Sequence, residues 1–177
     1  MRKLLLILPF ALLHVIGIFA QTASTTEGCL PVSVDFTPPG GASGYFWDFD
    51  DGATSTLETP SHTFITAGTF DVDFSEVAGG PIVGTVTISV YAPPTPSFIN
   101  SIDGGCAPLV VSFDEDVTLP AGVTVSQYTW VFGDGGTDTG ASVNHVFTAP
   151  GSYSVALGLI TNLPSCNVTE LVPDAIE

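Results

Sequence analysis

The feature that most constrains this chain is an internal repeat. Gly28-Cys29-Leu30-Pro31-Val32-Ser33-Val34-Asp35-Phe36 returns as Gly105-Cys106-Ala107-Pro108-Leu109-Val110-Val111-Ser112-Phe113. Tyr45-Phe46-Trp47-Asp48-Phe49-Asp50-Asp51-Gly52 returns as Tyr128-Thr129-Trp130-Val131-Phe132-Gly133-Asp134-Gly135. His62-Thr63-Phe64 and Gly68-Thr69-Phe70-Asp71-Val72 return as His145-Val146-Phe147 and Gly151-Ser152-Tyr153-Ser154-Val155. Tryptophan and histidine stand 15 positions apart in both copies, and tryptophan and the later glycine 21. Self-similarity held without a gap over such a stretch means one structural unit built twice. The copies differ between cysteine and tryptophan, by 18 positions in the first and 24 in the second. The extra residues, around Val117 to Ser126, predict a longer loop or an added strand.

Inside each copy the hydrophobic period is two. Val32, Val34 and Phe36 alternate with polar residues, as do Phe70, Val72 and Phe74, and Val86, Ile88 and Val90. Alternation of this kind marks half-buried strands, and the Gly, Pro and Asp clusters between them mark turns. Residues 21–177 show no apolar stripe at helical spacing. Each unit therefore predicts about seven short strands in an antiparallel β-sandwich, an all-β fold. Between the copies lies Ala92-Pro93-Pro94-Thr95-Pro96, where closely spaced prolines favour a semi-rigid polyproline II spacer.

The amino terminus reads as a targeting signal. Met1-Arg2-Lys3 is basic, Leu4 to Ala20 is apolar apart from His14 with Pro9 inside it, and the chain turns polar at Gln21. This is the pattern of a secretory signal peptide cut after Ala20, although Ile18 is bulky for the position three residues before the cut. The competing reading is an uncleaved membrane anchor, for which the stretch is short. The expected organisation is a signal peptide at 1–20, a first sandwich at 21–92, a linker at 93–96 and a second sandwich at 97–177. The repeat is complete close to Glu177, which fits a small secreted protein or an amino-terminal fragment. Membrane contact is expected only in transit, through the signal.

Charge excludes several functions. The 177 residues hold 18 Asp and Glu against 2 Lys and Arg, a formal net charge of −16. Both basic residues lie within the signal, so none remains after cleavage. Without a basic patch, phosphate backbones cannot be neutralised, and nucleic-acid binding is excluded. Lysine is missing for a phosphate loop or Schiff base, and arginine for a carboxylate clamp.

The motifs resemble the polycystic kidney disease (PKD) repeat, an immunoglobulin-like sandwich. The resemblance rests on Trp130-Val131-Phe132-Gly133-Asp134-Gly135, His145-Val146-Phe147 and Gly151-Ser152-Tyr153-Ser154-Val155. In the first copy Asp50 replaces the first glycine of the run. The resemblance covers nearly all of residues 28–173. It implies an extracellular spacer or interaction module, secreted or at a cell surface, of bacterial type, with an extracellular protein or polysaccharide as partner and no catalytic activity. A calcium-dependent carbohydrate-binding module, or an accessory piece of a secreted hydrolase, is the alternative.

Individual residues sharpen these expectations. Trp47 and Trp130 lie mid-strand on the apolar face and are expected in the cores. Asp51-Gly52 and Asp134-Gly135 are expected in tight turns, with glycine at positive φ. Asp50 stands where such a turn holds glycine in the left-handed region, which Asp tolerates better than most residues. His62 and His145, one per unit, lack the companions of a zinc site or a nucleophilic triad. They are expected to be loop histidines bonded to backbone. No cofactor is expected, with calcium kept as a candidate. Asp48, Asp50 and Asp51 fail the register of an EF-hand loop but leave open another oxygen-ligand site, as does Asp114-Glu115-Asp116. Phe46 should point outward beside the inward Trp47, a candidate contact residue, because its counterpart is Thr129. Of the three cysteines, Cys29 and Cys106 are equivalent by repeat, while the counterpart of Cys166 is Val83. The expected disulfide is Cys106–Cys166, leaving Cys29 odd.

Overall fold

In the strand Val32–Thr37, Val32, Val34 and Phe36 are buried and Ser33, Asp35 and Thr37 exposed, residue by residue. The same alternation builds both units of the computed structural model, which describes residues 20–177. The signal peptide proposed for residues 1–20 therefore falls almost wholly outside the described residues.

The first unit contains β1 (Thr22–Ala23), β2 (Glu27–Cys29), β3 (Val32–Thr37), β4 (Phe46–Asp48), β5 (Thr54–Ser55), β6 (Ser61–Phe64), β7 (Gly68–Ser75) and β8 (Ile82–Tyr91). A three-stranded sheet, β1-β3-β6, faces a five-stranded sheet, β2-β8-β7-β4-β5. All pairs are antiparallel except β2 with β8. The second unit contains β9 (Phe98–Asn100), β10 (Leu109–Glu115), β11 (Val125–Val131), β12 (Thr137–Thr139), β13 (Ser142–Phe147), β14 (Tyr153–Thr161) and β15 (Val168–Ile176). Its sheets are β13-β10-β9 and β12-β11-β14-β15. Among the described residues the only helical segment is one 3-10 turn, Pro164–Cys166. No helix among them is long and apolar enough to cross a membrane.

Each sandwich has its own aromatic core. Trp47 packs with its ring centre 4.8 Å from Phe74 and 5.6 Å from Phe36. Trp130 lies 5.4 Å from Phe98 and 5.7 Å from Phe113. Both indoles are fully buried, so each N–H needs a partner. Each finds the carbonyl ten residues on, Leu57 at 3.0 Å and Gly140 at 2.8 Å. The two cores share no residue.

A third, smaller cluster joins the units: Cys29, Val123, Leu163 and Cys166 are buried together, with Tyr91 packed against them. Val123 comes from the extra residues of the second copy, which form a loop rather than a strand before β11. The linker is held as well. Thr95 and Thr118 exchange both backbone hydrogen bonds at 3.0 Å, so the spacer is tied to that same loop of the second unit.

The disulfide corrects the sequence expectation. Cys29 bonds Cys166 across the two units, with Cα atoms 5.0 Å apart, and Cys106 is free and exposed. The physical reason lies in strand direction. Cys166 precedes β15, whereas Gly105, next to Cys106, bonds the carbonyl of Glu177 beyond its end. Nine extended residues put about 30 Å between those points, and a disulfide needs Cα atoms within about 7 Å.

Candidate functional site

The Asp-Gly turns carry the densest polar constellation of each unit. Gly52 and Gly135 have φ of 89° and 94°, the left-handed region that glycine enters without penalty. The turn aspartate bonds its own backbone two residues on: Asp51 Oδ1 accepts from the Ala53 N–H at 3.0 Å, and Asp134 Oδ1 from the Gly136 N–H at 2.8 Å. The second oxygen meets histidine, His62 Nε2 at 2.7 Å from Asp51 Oδ2 and His145 Nε2 at 2.8 Å from Asp134 Oδ2. These histidines stand on β6 and β13 and bond a carboxylate, where a loop position and a backbone partner were expected. Each ring stacks on the phenylalanine of the Trp-x-Phe run, at 4.1 Å on Phe49 and 4.0 Å on Phe132. Its edge meets Phe64 or Phe147.

Partial burial alone would raise the Asp51 and Asp134 carboxyls. The histidine hydrogen bond, the turn amide and attraction to the ring outweigh it, and both are held below the ordinary carboxylate value. The pair has the elements of a general base and its orienting acid. Yet both carboxylate oxygens are spent on the turn and the ring, and the ring is sandwiched against core aromatics. The arrangement latches the turn between β4 and β5, or β11 and β12, onto the opposite sheet.

The calcium candidates do not converge. Asp48 Oδ1 accepts from the Asp50 N–H, Asp50 Oδ2 from the Asp71 N–H, and Asp51 is committed as above. In the second candidate, Asp114 accepts from the Ser142 hydroxyl and Glu115 from the Val117 N–H and the Tyr128 hydroxyl. Among the described residues no group of three or more His, Cys, Asp or Glu is placed to hold a metal ion. These carboxylates are therefore not gathered into one site.

Asp50 has φ of 61° and its counterpart Gly133 76°, so the first copy does place aspartate in a glycine conformation. Phe46 is half-buried. It lines a hollow of about 170 Å³ with Asp48, Asp73, Ser75, Gly79, Gly80 and Ile82, partly covered by the loop between β7 and β8. That hollow lies on a sheet face bearing Asp48, Asp71 and Asp73. In the second copy the corresponding face carries Val131, Ser154 and Ala156 instead.

The joint is the feature that sequence reasoning missed. The Cys29 N–H donates to Ser165 Oγ at 3.1 Å, and the crevice beside the disulfide, about 530 Å³, is lined by residues of both units. A disulfide of this kind persists in oxidising, extracytoplasmic surroundings.

The PKD domain family model matches residues 16–77 and 91–169, one match for each unit. Among solved structures, the chain is similar to the three N-terminal domains of the highly immunogenic outer capsid protein (Hoc) of bacteriophage RB49. There the identity is 13%, the TM-score 0.43, and the match covers 88% of this chain and 58% of that one, so this chain spans little more than half of its length. It is also similar to the amphioxus IgVJ-C2 molecule (15% identity, TM-score 0.36, 83% of this chain and 98% of that one). A third is murine CEACAM1b (10% identity, TM-score 0.37, 81% and 92%). With the two family matches together spanning most of its length, the chain belongs to the PKD domain family, as two immunoglobulin-like sandwiches in tandem.

Proposed function

We propose that this chain is a non-catalytic extracellular spacer and interaction module, exported by its amino-terminal signal, with the first sandwich at 21–92 and the second at 97–177. PKD and immunoglobulin-like domains are typically extracellular interaction modules. The observation that carries the spacer reading is the joint. A covalent bond, a buried cluster and a linker pinned to the second unit hold the two sandwiches in one orientation. Tandem domains joined by an ordinary linker move relative to each other by default. A device that removes this freedom is what a module holding its partner at a set distance requires. The partner is an extracellular protein or polysaccharide. An acidic surface with no Lys or Arg beyond residue 3 favours neutral or basic surfaces.

Small-angle scattering on the exported protein and its Cys29→Ser variant tests this reading. The native protein should give one narrow distribution of interatomic distances, and the variant a broader one with both sandwiches still folded. A broad distribution with the disulfide intact would overturn the spacer reading.

A further inference from the structure

The outer faces of the two larger sheets differ in kind. In the first unit the Thr85 and Thr87 hydroxyls are spent on the carboxylates of Asp73 and Asp71. Phe46 stands there where the second unit has Thr129. In the second unit the strand register sets Thr137, Val131, Ala156 and Leu171 side by side across β12, β11, β14 and β15. A parallel row holds Thr139, Thr129, Gly158 and Thr169. Trp130 and Leu157, between the rows, are buried, so both rows face outward. Asp138 and Glu170 are in register with Trp130 and Leu157 and fall outside both. Neither row holds a charged residue, in a chain with 18 Asp and Glu.

The row through Gly158 is a trough. A Cβ on Gly158 would stand 2.5 Å from Thr129 Oγ1 and 3.3 Å from Thr169 Oγ1. Bare backbone there opens a hollow of about 240 Å³, which Ile160 and Asn167 also line. Val131 and Leu171 flank it, 49% and 59% exposed. Four strands spaced by about 4.8 Å make the trough about 14 Å long. Its polar groups are largely unspent. Asn167 Oδ1 accepts from the Thr161 N–H at 2.8 Å, which leaves the Nδ2 donors of that amide for a ligand. The Thr139 and Thr169 hydroxyls meet no protein partner among the described residues, whereas that of Thr129 donates to the Gly158 carbonyl at 3.3 Å.

We infer that this trough binds a neutral polysaccharide, without calcium. Charge selects the occupant. A second copy of this chain, or an acidic polymer, is repelled by a net charge of −16. A basic partner gains nothing from rows without carboxylates and is drawn to Asp48, Asp71 and Asp73 on the first unit. Protein interfaces are anchored on Trp, Tyr and Arg, and none of these stands in either row. A neutral, hydroxyl-rich chain matches what is present. Its hydroxyls pair with Thr139, Thr169 and Asn167, and its C–H faces lie on Val131 and Leu171. Apolar walls with a few placed polar groups are the usual make-up of a ligand site. The inference names the ligand class for the interaction part of the function proposed above and rests on that part.

The test is native gel electrophoresis of the exported protein through hydroxyethylcellulose, galactomannan or laminarin, with alginate as the acidic control and a chelator throughout. Mobility is read against a gel without polysaccharide. A neutral polymer should retard the protein and alginate should not. Leu171→Asp, which puts a charge beside the trough, should abolish the retardation, and Thr169→Val should weaken it several-fold. Both positions are exposed, so tryptophan-fluorescence melts should match the wild type. Phe46→Thr, on the first unit, should leave the retardation unchanged. Retardation by none of the neutral polymers overturns the inference, as does retardation that survives both Leu171→Asp and Thr169→Val. Loss in Phe46→Thr would place the site on the other unit. Retardation that appears only when calcium replaces the chelator would overturn the calcium-free site. Light scattering that shows a dimer, dissociated by Leu171→Asp, would make a second copy the occupant and overturn it too. Each failure leaves the spacer reading standing, because the scattering test of that reading follows only the joint.

Discussion

His145 Nε2 lies 2.8 Å from Asp134 Oδ2, and His62 repeats the contact with Asp51 at 2.7 Å. Two separate sandwiches thus close their Asp-Gly turn with the same latch. Asp134 is held below its ordinary value, so its contribution to stability is fully present above the unfolded carboxylate pKa, about 3.9, and is lost as pH falls through the lower folded value. Asp134→Asn should cost about 1 kcal/mol at neutral pH, the net worth of one such hydrogen bond. The gap between variant and wild type should shrink below about pH 4. Denaturant melts from pH 7 to pH 2 measure it, and a gap that stays constant to pH 2 would contradict the latch. Asp51→Asn should behave likewise in the first unit.

Trp47→Ala and Trp130→Ala should each remove most of the stability of one sandwich. Truncating a fully buried tryptophan costs about 3–5 kcal/mol, and here the indole's carbonyl partner is also left unpaired. The damage should stay local, because the two cores share no residue and the units touch through one small cluster and a disulfide. Hydrogen exchange resolved by segment would show protection lost in one unit and kept in the other. Equal loss in both would mean that the cores are coupled.

Strands, core and turn glycines were legible because each is a local consequence of residue type. Period two places Val34, Phe36, Trp47, Val72 and Phe74 inside, and positive φ selects Gly52, Gly135 and Asp50. The histidine partner was less legible. The separation of 11 positions between Asp51 and His62 shows nothing until β6 is set in the sheet opposite β4, although the identical spacing in both copies was a usable signal. The disulfide was not legible, since repeat logic treats each unit as self-contained. Cys29 and Cys106 stand at the exits of their units and Cys166 in a turn at the other end of the second. Only the path of the chain between sandwiches brings Cys29 and Cys166 together. The longer loop before β11 had no assigned purpose in the sequence; in the structure it supplies Val123 to that joint.

Position 50 and its counterpart 133 solve one backbone problem in two ways. Asp50 bridges to strand β7, its Oδ2 accepting from the Asp71 N–H at 3.1 Å. Gly133 instead packs against the backbone of Ser154, the residue equivalent to Asp71: a Cβ there would stand 2.6 Å from the Ser154 carbonyl oxygen. Gly133→Ala should therefore cost about 2–4 kcal/mol, combining the left-handed penalty with overpacking. Asp50→Gly should fall within about 1 kcal/mol of wild type, since relief of the backbone offsets the lost bond. Thermal melts of the two variants decide it, and equal costs would remove the distinction.

Asp48 on β4 and Asp73 on β7 are directly opposite each other in the sheet, both on its outer face. Like charges so placed destabilise a strand pair by about 0.2–1 kcal/mol. Part of that is offset, because Asp48 accepts from the Asp50 N–H and Asp73 from the Thr85 hydroxyl. Asp48→Asn keeps an acceptor oxygen and removes the charge. In low salt it should melt above the wild type, and the difference should fade as salt shortens the Debye length to about 10 Å at 0.1 M and about 3 Å at 1 M. The wild type itself should gain stability smoothly with sodium chloride, as 18 carboxylates with no Lys or Arg beyond residue 3 repel one another. Magnesium and calcium at matched ionic strength should act alike, since no three His, Cys, Asp or Glu side chains among the described residues are gathered around one point. A shift that saturates and is selective for calcium would be binding by mass action. That result would restore the calcium-module reading, provided Asp48→Asn abolished it. A variant no more stable than wild type at low salt would instead show that the charge at position 48 does not destabilise the sheet.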